Sequence, residues 1–499
     1  MTVATIYSRA AVGITAPSVC VEAHISRGLP SMHIVGLPEV AVKESRDRVR
    51  SALINSGFEF PSRRLTINLA PADLPKEGGR FDLAIALGIL VASKQLKNEL
   101  CDGYEFIAEL ALSGDLRGVK GVLPFAMMTK KAGRQLILSK QNAEECSLIK
   151  EVMLYPAKHL VDVVAHLKSV RILKVYAGNY RVIQKNKGND LSEVKGQQQG
   201  RRVLEIAAAG GHSLLMSGPP GCGKTMLASR MPTIMPRMES SEVIETAAIY
   251  SVSRQDIKRL SWQQRPFRAP HHSASSVALV GGGSPPCPGE ISLAHNGVLF
   301  LDELPEFQRN VLEALREPLE SGEIHISRAV YSASFPAKFQ LIATMNPCPC
   351  GYYGDARGSC NCTTEQITRY QNKISGPLLD RIDLCIKLQP TPIATLFLDD
   401  SASLESSEKV YERVVAAQFL QRKRSKQLNA HLSSEQIKLT CGLSASTRKL
   451  LQDVLEKYQL SARSYHKILK VSRTIADLSQ SEQIERVHLQ EAVMYRLFK

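Results

Sequence analysis

Three apolar runs in the middle of the chain set the first expectation. HSLLMSG, GVLFLDEL and FQLIATMN carry few polar residues along their length. Strands of this kind are buried on both faces, as in a parallel sheet that helices cover. We therefore predict an α/β domain over residues 200–390.

The flanking segments follow other patterns. Residues 1–170 mix β-rich runs such as VCVEAHI with helical patterns such as KESRDRVRSALINSG, which predicts an α+β domain. Residues 171–199 end in the polar, aperiodic stretch GNDLSEVKGQQQ, and we interpret them as a linker. Residues 391–499 carry helical runs such as SASTRKLLQDVLEKYQ, which predicts a helical lid domain.

The chain shows neither a membrane span nor a secretory signal. The longest apolar candidate, Leu83 to Ser93, falls short of the roughly 20 residues that cross a bilayer and suits a buried helix. The first residues lack a basic segment followed by a continuous apolar one. We expect a cytoplasmic protein without a membrane partner, whose 11 cysteines are reduced, buried or metal-bound.

An excess of positive charge points to a class of partner. Lys and Arg number 63 against 48 Asp and Glu, a formal charge of +15. Such a surplus favours nucleic acid, because cations neutralise phosphates and release counterions. A solubilising surface would explain the same number, so the charge alone does not decide between the two.

A glycine-rich loop has the pattern of a phosphate-binding loop. GPPGCGKT matches G-x-x-x-x-G-K-[ST] between the apolar run SLLMS and the helix-compatible MLASRM. Lys224 is predicted to reach the β- and γ-phosphates of ATP, and Thr225 to give its hydroxyl to Mg²⁺. A chance glycine-rich turn is the alternative. The predicted nucleotide-binding residues are Gly218, Pro219, Pro220, Gly221, Cys222, Gly223, Lys224, Thr225 and Asp302.

Two adjacent carboxylates end the strand GVLFLDEL. Asp302 and Glu303 would be costly there unless Mg²⁺ and water engage them. Asp302 is predicted to hold the magnesium shell and Glu303 to deprotonate the attacking water. Solvated acids at an exposed strand end are the alternative, which the phosphate loop upstream makes the weaker interpretation.

Three polar residues downstream are candidates for contact with the γ-phosphate region. Asn346 ends FQLIATMN and could align water, although capping by that Asn is the competing account. Arg381 in SGPLLDRIDL and Arg463 in SARSYH have planar cations that suit phosphate oxygens in a transition state. Taken singly, such arginines are more often surface ion pairs.

Four cysteines form two C-x-C pairs in the segment 348–362. Cys348 and Cys350 are joined to Cys360 and Cys362 by nine residues that include three glycines. Four thiolates gathered by tight turns meet the needs of a tetrahedral structural Zn²⁺. The spacing departs from the commoner C-x₂-C knuckle, and four reduced thiols are the alternative. The tandem histidines of RAPHH lack a second pair, so we assign no ligand there.

The motif order resembles AAA+ ATPases of the branch with magnesium-chelatase subunits and minichromosome maintenance helicases. It runs phosphate loop, DEL, TMN, LLDRID and SAR. RPFRAPHHSASSVALVGGGSPPCPGEISLAHNGVLFLDELPEF and PADLPKEGGRFDLAIALGIL resemble the ComM (YifB-type) subfamily, and the resemblance covers essentially the whole chain. It implies that Asn346 is sensor 1, that Arg381 is an arginine finger acting on the neighbouring subunit, and that Arg463 is sensor 2. A finger acting on a neighbour implies a ring, typically a homo-hexamer.

The same resemblance implies an activity. Members of the subfamily are described as DNA helicases that promote branch migration after incoming single-stranded DNA invades a chromosome in natural transformation. Single-stranded and branched DNA, together with recombination proteins, would be the partners. A protein remodeller or chelatase-type ATPase shares all the site residues, and a non-enzymatic DNA-binding scaffold is a third alternative.

Two further segments gain an interpretation from the resemblance. GEIHISRAVYSASFPAKF predicts a hairpin, which in helicase relatives enters the ring channel, with Arg328 and Lys338 as candidate DNA contacts. An ordinary hairpin with a solvated Arg is the alternative. Residues 1–170 resemble the Lon-protease-type fold, whose catalysis needs Ser and Lys. Arg80 and Pro124 stand near those positions, which implies a non-proteolytic scaffold.

Overall fold

The computed structural model describes residues 3–36, 42, 44–178, 189–253, 264–327, 332–355, 358, 360–392 and 405–496. Within these ranges, no helix has both the length and the apolarity that a membrane span requires.

The N-terminal region, residues 3–178, combines sheets with helices. Its strands are β1 (Ala4–Arg9), β2 (Ser18–Ser26), β3 (Ser31–Val35), β4 (Arg64–Ala70), β5 (Tyr104–Ile107), β6 (Glu109–Leu110), β7 (Leu116–Arg117), β8 (Gln135–Ser139) and β9 (Leu154–Ala157). Its helices are α1 (Ser45–Asn55), α2 (Asp82–Ala92), α3 (Val122–Lys131), α4 (Ala143–Cys146) and α5 (Leu160–Leu167). Residues Asp82 to Leu90 of α2 are all buried, so the apolar run that could not span a membrane is a core helix.

Three sheets organise this region. The first has the order β1-β2-β4-β3, with β3 and β4 parallel and the other pairs antiparallel. The second, β5-β8-β9, is parallel, and β6 and β7 form a short antiparallel pair. Helix α2 packs on β1 and β2, and alternate residues of β1, β2 and β4 share its apolar cluster.

The middle of the chain contains a five-stranded parallel sheet. Its strands are β10 (Leu214–Ser217), β11 (Phe267–Arg268), β14 (Val298–Leu301), β17 (Gln340–Met345) and β18 (Leu384–Lys387). Their order is β11-β14-β17-β10-β18. Leu214 and Met216 pack on one face of this sheet and Leu215 on the other, as the double-sided burial of an apolar strand requires. The prediction of a buried parallel sheet is confirmed.

Two hairpins and a set of helices surround that sheet. The hairpin strands are β12 (Gly281–Gly282) with β13 (Cys287–Pro288), and β15 (Glu323–Ser327) with β16 (Ser332–Pro336). The helices are α6 (Gln198–Gly210), α7 (Lys224–Ile234), α8 (Ser240–Val252), α9 (Ser276–Val280), α10 (Glu290–Leu293), α11 (Arg309–Ala314), α12 (Arg316–Ser321), α13 (Thr364–Gln371) and α14 (Gly376–Leu379). The antiparallel pair β15 and β16 confirms the predicted hairpin before the strand of Asn346.

Helices make up the last part of the chain, as predicted. They are α15 (Ser407–Ser425), α16 (Ser434–Thr440), α17 (Ala445–Lys457), α18 (Ala462–Leu478) and α19 (Arg486–Met494). Serine side chains accept the first backbone amides of α16, α17 and α18, at Ser433, Ser444 and Ser461. The apolar faces of α15 and α18 pack on α6, so the lid shares a core with one face of the parallel sheet.

Candidate nucleotide site

The parallel register brings the predicted nucleotide-site motifs to one edge of the sheet. Ser217 of β10 is paired with Met345 of β17, and Leu301 of β14 with Ala343. The carboxyl ends of all three strands therefore meet, and each is followed by a candidate residue. Ligands of open α/β sheets bind at this edge.

Backbone geometry explains the glycines of the phosphate loop, residues 218–225. Gly221 and Gly223 have φ of 75° and 86°, which side chains disfavour. A Cβ on Gly218 would lie 2.8 Å from the carbonyl oxygen of Leu388. The loop runs directly into α7 at Lys224, so its amides and a helix N-terminus face one site.

Lys224 lies across the loop. Its Nζ donates to the carbonyl oxygens of Gly218 at 2.6 Å and Pro219 at 3.0 Å, and to Oδ1 of Asn346 at 3.1 Å. Burial lowers the pKa of Lys224, and nearby Cys222, Asp302 and Glu303 oppose that shift. A cation that burial destabilises gains from a bound polyphosphate.

Thr225 and Asp302 meet as a magnesium site requires. The Thr225 hydroxyl donates to Oδ2 of Asp302 at 2.8 Å, and the buried Thr344 hydroxyl donates to Oδ1. Hydroxyl and carboxylate oxygens are ligands that Mg²⁺ prefers beside phosphates and water. The donor set therefore fits the ion, and Thr344 orients the carboxylate.

Glu303 occupies a constrained position beside this pair. Its φ is 54°, a left-handed value that is rare outside glycine, and its backbone N–H donates to Thr344 Oγ1 at 3.2 Å. Its side chain is half exposed and its Oε2 lies 3.6 Å from Nδ1 of His272. The carboxylate is thus open to water while its backbone is held by a neighbouring strand.

The two arginines lie together at the opposite edge of the sheet. One carboxylate oxygen of Glu320 accepts from Arg381 at 2.6 Å and from Arg463 at 3.1 Å. The carbonyl of Arg381 accepts from Ser213, the residue before β10, which fixes the pair at the amino end of the strands. The structure therefore does not bring Arg381 or Arg463 to the phosphate loop of the same chain.

A cavity of about 410 Å³ lies beside these arginines. Asp383 lines it and is largely buried, with its Oδ1 2.8 Å from Nζ of Lys467 and its Oδ2 3.3 Å from Nδ1 of His212. Burial would raise the pKa of Asp383, but Lys467 and His212 hold it well below its usual range. Asp383 therefore carries a negative charge in this cavity, where the sheet meets the helices of the lid.

The four cysteines converge. Their sulfur atoms lie within 4.8 Å of one another, and those of Cys348 and Cys360 are 3.7 Å apart. Sulfurs of a tetrahedral zinc site with bonds of about 2.3 Å are separated by about 3.8 Å, so the donor set fits Zn²⁺. The loop touches the nucleotide site, because a Cβ on Gly351 would lie 2.8 Å from Pro220.

The candidate DNA contacts are only partly described. Arg328 lies outside the described residues. Lys338 is exposed and precedes β17. Its N–H donates to Nδ1 of His295 and its carbonyl accepts from Asn296. It lies at the base of the hairpin.

Sequence reasoning missed three residues of these sites. Thr344 lies inside an apolar strand, Glu320 in an ordinary amphipathic segment, and His272 in a loop to which no role was given. Thr344 carried the one available signal, a hydroxyl two residues before Asn346 in a buried strand. The partners of Glu320 and His272 are distant in sequence, so their pairing depends on the fold.

Comparisons with known proteins agree with this geometry. Three family models match, described as "Magnesium chelatase, subunit ChlI" over residues 190–396, "Subunit ChlI of Mg-chelatase" over 21–142, and "Magnesium chelatase, subunit ChlI C-terminal" over 404–496. A shorter match joins 30% of the chain, at 29% identity, to 15% of the DNA replication licensing factor mcm6 of Dictyostelium discoideum.

Full-length relatives are much more similar. The protein YifB of Escherichia coli is 52% identical over 500 residues, with 99% of this chain and 97% of YifB covered. The competence protein ComM of Haemophilus influenzae is 52% identical over 504 residues, with 99% and 98% covered. The chain therefore belongs to the ComM and YifB type of magnesium-chelatase-like AAA+ ATPases.

Proposed function

We propose that this protein is an ATP-driven hexameric DNA helicase. It promotes branch migration when incoming single-stranded DNA recombines with a chromosome in natural transformation. The observation that carries the proposal is the meeting of Lys224, Asp302 and Glu303 at one sheet edge in a chain so similar to a competence protein.

The residues at the carboxyl edge divide the work of ATP hydrolysis. Lys224 and the loop amides bind the β- and γ-phosphates, and Asn346 orients Lys224 and the attacking water. Thr225 and Asp302 would hold Mg²⁺, which supplies charge to neutralise the phosphate oxygens. Glu303 accepts the proton of the attacking water, because its carboxylate is half exposed.

The arginine pair supports a ring. Arg381 and Arg463 lie at the amino edge of the sheet, away from their own phosphate loop. They can stabilise the charge on a γ-phosphate if that phosphate belongs to a neighbouring subunit. A head-to-tail interface of this kind closes into a ring when the rotation between subunits allows it, and we infer a homo-hexamer.

Charge and similarity support DNA as the substrate. The formal charge of +15 suits a polyanion, and the β15–β16 hairpin is a candidate channel element with Arg328 and Lys338 as contacts. A relative of the matched region is called a DNA replication licensing factor, and a full-length relative is called a competence protein.

The four cysteines would hold a structural Zn²⁺. The metal would fix the loop that contacts Pro220 and begins two residues after Asn346. Metal analysis of protein purified without added zinc should find about one equivalent per chain. Cys360→Ser should lose it and Cys287→Ser, outside the cluster, should keep it. Well under one equivalent in the parent protein would remove zinc from the proposal.

The test of the whole proposal is a branch-migration assay with purified protein. ATPase activity should rise with single-stranded DNA, and the stimulation should fade as salt increases. Three-stranded joints should be extended only with ATP and an intact Lys224. If Lys224→Ala turned over ATP at the parental rate, the phosphate loop would not be the site of hydrolysis and the proposal would fail.

A magnesium-chelatase-type ATPase or protein remodeller is the second candidate. The matching family models are described by a chelatase subunit, which is the observation in its favour. It shares every site residue, so the same salt series separates the two. An ATPase rate that DNA changes at no salt concentration supports remodelling.

The N-terminal region is proposed to be a non-proteolytic scaffold. Arg80, which stands where a Lon-type nucleophile would be, donates to the carbonyl of Glu77 and lies over the ring of Phe125. An arginine in these contacts supplies no nucleophile. Unchanged casein after incubation with the protein and ATP is the expected result, and cleavage that Arg80→Ala abolishes would contradict it.

A further inference from the structure

The β1–β2 turn of the N-terminal region, residues 10–17, reaches the β15–β16 hairpin. A Cβ on Gly13 would lie 3.2 Å from the carbonyl oxygen of Ser334 and 3.4 Å from Cβ of Ala333, both on β16. Ile14 packs against the apolar cluster that contains Ala333 and Phe335. The tip of the β1–β2 hairpin therefore contacts one side of the β15–β16 hairpin.

The base of this turn is held stiffly. Arg9, buried at the end of β1, donates to both carboxylate oxygens of Glu105, at 2.6 and 2.7 Å, and to the carbonyl of Ala16 at 2.8 Å. Val12 and Thr15 exchange two backbone hydrogen bonds, at 2.9 and 3.1 Å. Bidentate buried pairs of this kind fix geometry, so the turn moves with the N-terminal core.

A second contact fixes the N-terminal region to the ATPase side. Ala247 and Ala248 of α8 pack in one apolar cluster with Val122 and Phe125 of α3. The backbone N–H of Gly121 donates to the carbonyl of Ser251 at 3.0 Å. Ile14 also touches the small cluster of Ile249, Tyr250 and Leu293. The tip of the turn thus contacts both the cluster that includes Ile249 and Tyr250 of α8 and the β15–β16 hairpin.

The contact with the hairpin is local. A cavity of about 420 Å³ lies beside it, with Lys120, Val252, Pro286 and Ala333 among its lining residues. The cavity therefore separates the turn's contact with the hairpin from the packing of α3 on α8. A single side chain at the tip can change how the hairpin is held.

We propose that the turn at residues 10–17 positions the β15–β16 hairpin and so couples the N-terminal region to the nucleic-acid contact. The coupling to a nucleic-acid contact rests on the proposed function. Gly13 leaves room for the β16 backbone, and Ile14 supplies the apolar contact. The hairpin strands are therefore contacted by the N-terminal region as well as by the ATPase region.

Two variants disturb the contact in opposite senses. Gly13→Ala adds a Cβ against Ser334 and Ala333, and Ile14→Ala removes apolar contact. Gly57→Ala is the matched control, since Gly57 also has a positive φ, 79°, but has nothing within 4 Å of a built Cβ. Val35→Ala, at an exposed position, is the control for Ile14.

Hydrogen exchange of the hairpin strands in the full-length protein is the first measurement. We expect Gly13→Ala and Ile14→Ala to speed exchange in residues 323–327 and 332–336 by about fivefold over their controls. Equal exchange in variants and controls overturns the proposal, whatever the protein does with DNA.

The second measurement is the ratio of DNA-stimulated to basal ATPase activity. We expect that ratio to fall about fivefold in Gly13→Ala, with basal activity within about twofold of Gly57→Ala. A parent protein that DNA does not stimulate would defeat the proposed function, and the exchange result would then decide the positioning role alone. Stimulation that is equal in Gly13→Ala and Gly57→Ala overturns the coupling.

Discussion

The environment of Glu303, the proposed base, is set by residues outside its own motif. Its side chain is half exposed, while Thr344 accepts its backbone N–H and holds the adjacent Asp302. Asp302 and Glu303 are adjacent in the sequence, but Thr344 of β17 holds the side chain of one and the backbone of the other. The Asp302 carboxylate is held by two hydroxyl groups, and the Glu303 carboxylate is left open to water.

Replacing the base should stop hydrolysis without preventing binding. We expect Glu303→Gln to lower the ATPase turnover number by about a hundredfold or more, because an amide cannot accept the proton. ATP affinity, measured by calorimetry, should stay near that of the parent. Glu306→Gln is the control, since Glu306 is an exposed acid paired with Lys373 at 3.3 Å and should change turnover by less than about twofold. Equal losses in both variants would contradict the assignment.

Thr344 should affect magnesium rather than folding. Thr344→Val removes the hydroxyl that holds Asp302, and we expect the Mg²⁺ concentration for half-maximal ATPase to rise about tenfold. Thr246→Val, another buried threonine that lies away from the site, should leave that concentration unchanged. A shift of the same size in both variants would mean that Thr344 acts only through stability.

At this scale, the sequence predicted the placement of candidate residues that directly follow a strand. The phosphate loop and the two acids follow strands directly, so their placement required only that those strands be parallel. Asn346 is within reach of Lys224 because Met345 pairs with Ser217. The shared carboxylate of Glu320 joins Arg381 and Arg463 across long separations, and no local pattern encodes such a contact.

Among the elements, strands and helices with a clear apolar period were predictable and their docking was not. The apolar run Leu83 to Ser93 and the helical runs of the lid formed the elements that their patterns indicate. The packing of α3 on α8 depends on small residues, Ala247 and Ala248, that have no distinctive spacing. Contacts between regions therefore became visible only in three dimensions.

The contact between α4 and α8 should be sensitive to pH. Burial raises the pKa of Glu145 to about 7, and a hydrogen bond to Ser251 partly opposes this. An unfolded glutamate has a pKa of about 4.3, so between these values the folded chain holds a proton that the unfolded chain releases. Stability is therefore highest below the lower pKa and falls as pH rises to about 7, by at most about 4 kcal/mol.

Glu145→Gln should remove that dependence. We expect the variant to melt at a higher temperature than the parent at pH 8, and at a similar temperature at pH 5, since glutamine mimics the protonated acid. The exposed neighbour Glu144 supplies the control. Glu144→Gln should change the melting temperature by the same amount at pH 5 and at pH 8. Parent and Glu145→Gln curves that stay parallel from pH 5 to 8 would show that the carboxyl titrates normally.

For the whole molecule, the proposed role of Arg381 on a neighbouring subunit predicts that a working site needs two subunits. Subunits with Lys224→Ala and subunits with Arg381→Ala should each be inactive alone. An equal mixture should regain up to about a quarter of parental ATPase, because that fraction of interfaces joins an intact loop to an intact finger. Mixing Lys224→Ala with Glu303→Gln should restore nothing, since both changes damage the same edge. A mixture as inactive as its components would place Arg381 in its own subunit's site.

Composition predicts where the sheet ends, but it does not predict how the segments pack. Residues 171–199 have the composition of a linker, yet Leu191 and Val194 are buried in the core beside the sheet. The change from strand-rich to helix-rich sequence near residue 390 corresponds to the end of the parallel sheet at Lys387. The shared core of α6, α15 and α18 joins segments that are separated by the whole ATPase sheet in the sequence. Such long-range packing follows from topology, which composition does not encode.

Glu320 gives subunit assembly a particular energetic character. In a lone chain this carboxylate already pairs with two guanidinium groups, so in the proposed ring joining a neighbour would exchange one anionic partner for another rather than create a new attraction. The free energy gained by the exchange would be the difference between pairing the arginines with a carboxylate and pairing them with a triphosphate, which carries more negative charge. Nucleotide would then act as the adhesive between protomers, and rings would loosen as each site empties.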